Sequence, residues 1–119
     1  MATNIEAMTA GTPVIVRNAG PKQFQALFDV IEVQVTLTEA SIAAQVASQA
    51  TITVPGVELN DYIHVSYPAD ITGLILKATP SASNTVKITA YNLEGTDANT
   101  TLAGGLVAKL LILKPKFGS

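Results

Sequence analysis

The sequence predicts an all-β fold: an antiparallel β-sandwich or barrel of about six to eight strands, with an extended N-terminal arm. Three observations carry this. Apolar and polar residues alternate with period two in several segments rich in β-branched residues, as in Ile31, Val33, Val35 and Leu37 against Glu32, Gln34, Thr36 and Thr38. Turn chemistry separates nearly every pair of these segments. The segments start about every 10 to 20 residues, the spacing of sandwich and barrel domains.

Residues 1–27 differ from the rest. Gly11, Pro13, Gly20 and Pro21 interrupt them at short intervals, leaving room only for one short strand at Pro13–Arg17. Ile5, Met8, Val14, Ile15, Val16, Phe24 and Leu27 are more apolar residues than a disordered tail carries. The expectation is an extended arm over 1–27, lying on its own domain or on a neighbour, and a sandwich domain over 28–119. Fully extended, such an arm reaches at most roughly 90 Å.

Within the domain, the first strand is the alternating run from Phe28 to Thr38. Glu39 to Ser48 reads as a loop with at most a short turn. The second strand, Ala50–Val54, is closed by Pro55-Gly56, which fits the two central positions of a type II turn. Tyr62–Tyr67 alternates again and Pro68 stops it. Gly73–Ala78 is the fourth strand, closed by Pro80; Thr85–Asn92 is the fifth, followed by a polar loop over 94–101. Gly104-Gly105 marks a turn or bulge before the last strand, which lies within Leu106–Lys114.

Composition narrows the function. The chain has 119 residues, 48% of them hydrophobic, enough for one core without a staple. Only 13% are charged, about half the usual level, so Thr, Ser, Asn, Gln and Ala must form much of the surface. The net charge of −2 and seven scattered Lys and Arg argue against nucleic-acid binding. No cysteine is present, which excludes disulfides and thiol catalysis. The longest apolar run, Leu110–Leu113, is far short of the ~20 residues of a membrane helix. No basic n-region or apolar h-region opens the sequence, so synthesis in the cytosol is expected.

A search for chemistry finds little. His64 is the only histidine, predicted on the strand face opposite Ile63 and Val65. Ser66 shares its face but lies ~7 Å along the strand, beyond hydrogen-bond reach. One His and no Cys make zinc ligation implausible. Asp61, Asp70, Glu94, Asp97 and Asn99 are the acidic and amide candidates for calcium, without the EF-hand spacing. Sugar binding lacks tryptophan, with only Tyr62, Tyr67 and Tyr91 to stack. The chain is therefore read as a non-enzyme with no catalytic, metal or cofactor site.

The central block reads Ala50-Thr51-Ile52-Thr53-Val54-Pro55-Gly56-Val57, then Asp61-Tyr62-Ile63-His64-Val65, Pro68, Gly73-Leu74-Ile75, Ala78, Ser83-Asn84-Thr85-Val86-Lys87-Ile88-Thr89 and Asn92. Over residues 50–92 it resembles small head proteins of tailed bacteriophages, the decoration or cement proteins of the capsid exterior. The resemblance implies a virion protein whose partner is the major capsid protein, with no catalytic group, no nucleic acid and no membrane. The last strand departs from the family's polar, Thr-rich ending: Val107-Ala108-Lys109-Leu110-Leu111-Ile112-Leu113 is apolar on both faces, and both faces need cover. The arm, a neighbouring copy or the shell would supply it, which favours self-association, a trimer first. Exposed apolar content places the shell contacts at Ile5, Met8, Val14, Val16, Phe24 and Phe28. The other reading is a tail or baseplate accessory or receptor-binding module that uses loops such as 94–101.

Overall fold

The structure, a computed structural model, describes residues 5–17, 28–39, 41–66, 73–94, 96–100 and 102–115. These form β1 (Ile5–Ala7), β2 (Thr9–Ala10), β3 (Val14–Arg17), β4 (Phe28–Thr38), β5 (Ala47–Thr53), β6 (Tyr62–Ser66), β7 (Leu74–Ala82), β8 (Thr85–Asn92) and β9 (Leu106–Pro115), with no helix among them. One sheet has the order β1-β5-β8-β7; the other runs β4-β9-β6, with β2 and β3 paired in succession along the outer edge of β4. All pairings are antiparallel except β1 on β5, which is parallel.

The two sheets face each other as a β-sandwich, and alternation along the strands makes the core. Ile31, Val33, Val35 and Leu37 from β4 point inward with Leu106, Ala108, Leu110 and Ile112 from β9. Ile52, Leu74, Leu76, Ala78, Val86, Ile88 and Ala90 meet them from the other sheet. Burying each larger aliphatic side chain stabilises by about 1.5–3 kcal/mol, so this interlayer is the principal source of stability.

Residues 5–17 are built into the domain. The chain leaves β1 at the edge of one sheet and enters β2 at the edge of the other. Met8 sits between them, buried, its N–H donating to the Gln49 carbonyl at 3.1 Å. This stretch closes one open side of the sandwich. The other side lies between β6 and β7 and keeps an open groove of about 510 Å³ lined in part by Ile63, Val65, Leu76 and Ala78.

Two strand limits differ from the sequence expectation by more than one residue. β5 begins at Ala47, not Ala50, because Ala47, Ser48 and Gln49 find ladder partners in Tyr91, Ala90 and Thr89. β7 does not stop at Pro80 but continues to Ala82 with an irregularity there. Among the described residues β7 is an edge strand, where a missing proline N–H costs no ladder bond.

The turns behave as their residues dictate. Gly56 has φ 98° after Pro55, as a type II turn requires. Asn84 (φ 63°) closes the β7–β8 hairpin and locks onto that turn. Its Oδ1 accepts from Gly56 N at 2.8 Å, its carbonyl accepts from Val54 N, and its N–H donates to the Val57 carbonyl. The stretches around Pro55-Gly56 and Ser83-Asn84 are thus one structural unit. At the opposite end, buried Asn92 holds two loops. Its Nδ2 donates to the carbonyls of Ile42, Ala43 and Asp97, and its Oδ1 accepts from Glu94 N. Ile42 and Asn99 exchange two backbone bonds at 2.8 Å.

Candidate protein-contact face

The outward rows of the five-stranded sheet follow from its register. Val14 lies beside Gln34, which lies beside Lys109, which lies beside Ser66. The next row is Val16, Glu32, Leu111 and His64; the one after holds Leu113 and Tyr62 beside Val30, which is buried. Thr36 and Val107 form a shorter row at the other end. Val14 is 62% exposed, Tyr62 61%, Val16 50% and Val107 39%, while Leu111 and Leu113 are half-buried. Four of the eight large hydrophobic side chains exposed among the described residues therefore share this one face. A shallow hollow of about 400 Å³ opens on it, lined by residues including Glu32, Gln34, His64, Lys109 and Leu111.

A one-residue irregularity puts Val14 and Val16 there. In β2, Thr9 pairs with Thr38 and Ala10 with Leu37. In β3, Val14 pairs with Gln34 and Val16 with Glu32, one residue out of step with the β2 register. The extra residue lies in Gly11-Thr12-Pro13, where Gly11 N donates to the Thr36 carbonyl at 2.8 Å. A single-residue shift exchanges the faces of every later side chain in the strand. With it, Ile15 packs toward the core and Val14 and Val16 turn outward.

The expected contact residues separate accordingly. Val14 and Val16 are on the exposed face. Met8 is 6% exposed and packs inside its own domain, so it anchors the arm and offers no outward surface. Ile5 occupies β1 opposite Ala47, and Phe28 opens β4 opposite Pro115. Phe24 lies outside the described residues, as do Tyr67 and Asp70. Sequence reasoning passed over Tyr62 as a contact residue, although its alternation with Ile63 and Val65 was the signal that turns it outward.

The groups considered for catalysis do not converge. His64 and Ser66 are exposed on the outer face, paired with Leu111 and Lys109. Asp61 belongs to the other side. Its side chain is 5% exposed, takes the Lys114 ammonium at 3.0 Å and accepts from Glu58 N at 2.9 Å. Glu39 accepts a hydrogen bond from the Ser48 hydroxyl. Among the described residues, no group of three or more His, Asp or Glu is placed to hold a metal ion. Compared with protein-family models, with curated proteins and with solved structures, the chain matches none.

Proposed function

We propose that the chain is a structural virion protein that decorates the outside of a tailed-phage capsid and cements the shell. The observation that carries this reading is the outward face that holds Val14 and Val16 of the arm on one side of β4 and Val107, Leu111 and Leu113 of the last strand on the other. An apolar sheet face of this kind is covered in use. The likeness of residues 50–92 to decoration proteins supports the major capsid protein as what it covers. Each copy needs only modest affinity, because contacts to neighbouring shell subunits act together and oppose their separation.

A second reading, a tail or receptor-binding module, rests on the end where Asn92 ties Ile42 and Ala43 to Glu94 and Asp97, beside exposed Ile75, Tyr91 and Leu93. Co-sedimentation with undecorated phage heads separates the two. Saturable binding in hundreds of copies, lost on outward-face substitution, is expected of a decoration protein. Binding of a dozen copies or fewer, or none, overturns that role and favours the second reading.

A further inference from the structure

Among the described residues, the contact face carries one charge of each sign. Glu32 lies directly opposite Leu111, and Lys109 directly opposite Gln34. The two charges are therefore diagonal neighbours, ~7–8 Å apart along the backbone, flanking Leu111. Both are exposed, and among the described residues neither forms an ion pair. A face meant for a partner of one charge would carry the opposite sign throughout. This one carries both, at non-equivalent positions, which is the arrangement that complements itself under two-fold symmetry.

The register sets what such symmetry brings together. Consider a two-fold axis lying in the face and passing midway between Glu32 and Lys109. It sets Glu32 over Lys109 of a second copy and Lys109 over Glu32 of that copy. The same operation brings Leu111 close to Leu111 of the second copy and Val16 close to its Val107. The apolar positions thus meet apolar positions, and each charge meets its opposite. The two sheets cross steeply, nearer the orthogonal class of sheet packing than the aligned one.

We infer that, off the shell, this face is covered by a second copy of the chain, giving a two-fold dimer held by reciprocal Glu32–Lys109 pairs around Leu111. The inference rests on reading the face as a protein-contact surface. It adds that dimer and shell compete for the same residues, so the face stays covered until the protein docks. A face of four strands ~4.8 Å apart and ~20 Å long offers about 400 Å² per copy. That lies at the weak end of specific interfaces, so the dimer dissociates on dilution. Two copies of this face satisfy both of its charges at once, so the inference is of a two-fold pair and not of the trimer expected from the sequence.

Sedimentation velocity over a wide concentration range tests this with the full chain. The unaltered protein should pass from monomer to dimer. Glu32→Lys and Lys109→Glu, made singly, each place like charges at both ends of the contact and should weaken dimerisation about tenfold or more. The combined exchange, Glu32→Lys with Lys109→Glu, should restore it. Leu111→Thr, which changes no charge, should weaken it as well, and circular dichroism checks the folding of every variant. A protein monomeric throughout, or single reversals that leave the dimer intact, overturns the inference. Binding to phage heads is scored separately: heads bound by a monomeric protein sink the dimer alone, and a dimer that binds no heads sinks the decoration role alone.

Discussion

The two sheets share one inner surface, but their outer faces differ in kind. On the four-stranded sheet the outward rows hold Gln49, Thr89 and Lys77, then Thr51, Lys87 and Thr79. Its larger apolar side chains, Ile75 and Tyr91, sit together at one end. On the five-stranded sheet, Val14, Val16, Tyr62 and Val107 are spread across the face with Leu111 and Leu113. Both faces come from the same period-two rule. Alternation only sorts residues into two sets per strand; it does not make the outer set polar. The Thr and Lys face is what a water-exposed sheet ordinarily carries, and the face that mixes Val and Leu with polar residues is the one we propose as a contact surface.

Substitutions can break or sharpen this contrast. The largest effect belongs to the shared core. Leu110→Ala removes a fully buried side chain between the sheets and should cost about 2–5 kcal/mol of stability, read by urea unfolding. Both outer faces would suffer together, since both are built on that layer.

Deleting Thr12 tests the irregularity that aims β3. Without the extra residue, β2 and β3 fall into one continuous register on β4, which keeps Val14 opposite Gln34 and Ile15 opposite Val33. The packing of Ile15 against the core is then retained, so urea unfolding should shift by no more than roughly 1 kcal/mol. A much larger loss would show that Gly11-Thr12-Pro13 is needed in its present form to seat β3.

Paired substitution on the apolar face, Val16→Thr with Leu111→Thr, should move stability by no more than roughly 1 kcal/mol. Retention on phage heads in a pelleting assay should nevertheless fall sharply. Smallest of all, Lys87→Glu on the polar face should leave both unfolding and head binding within error. A loss of binding there would mean that the contrast between the faces has been read the wrong way round.

Much of this was legible in the sequence. The six segments expected after residue 27 correspond to β4 through β9, because alternation and turn residues are local signals. Pro55-Gly56 and Gly104-Gly105 produced turns where expected, Gly56 and Gly105 taking positive φ. The misjudged limits lie where pairing overrode local preference: Ala47-Ser48-Gln49 has weak strand propensity but a long partner in β8. The arm's assignment to a neighbour or to its own domain needed the ladder. Ile5–Ala7, Thr9–Ala10 and Val14–Arg17 carry too little pattern to choose their sheets. Of the expected contact residues, Val14 and Val16 were recognisable as apolar, but nothing in sequence distinguished them from Met8, which folds inward.

By itself, then, the sequence determined the all-β class, the order of the strands along the chain and which residues alternate within each strand. These depend on backbone geometry and on neighbours two positions apart. Tertiary structure alone decided which strands became neighbours, how the arm divides between the two sheets and which apolar residues reach the surface. Strand order and register come from contacts between distant segments, and one extra residue near Thr12 reverses the face that β3 presents. The face that joins Val16, Glu32, Leu111 and His64 in a single row exists only through that register.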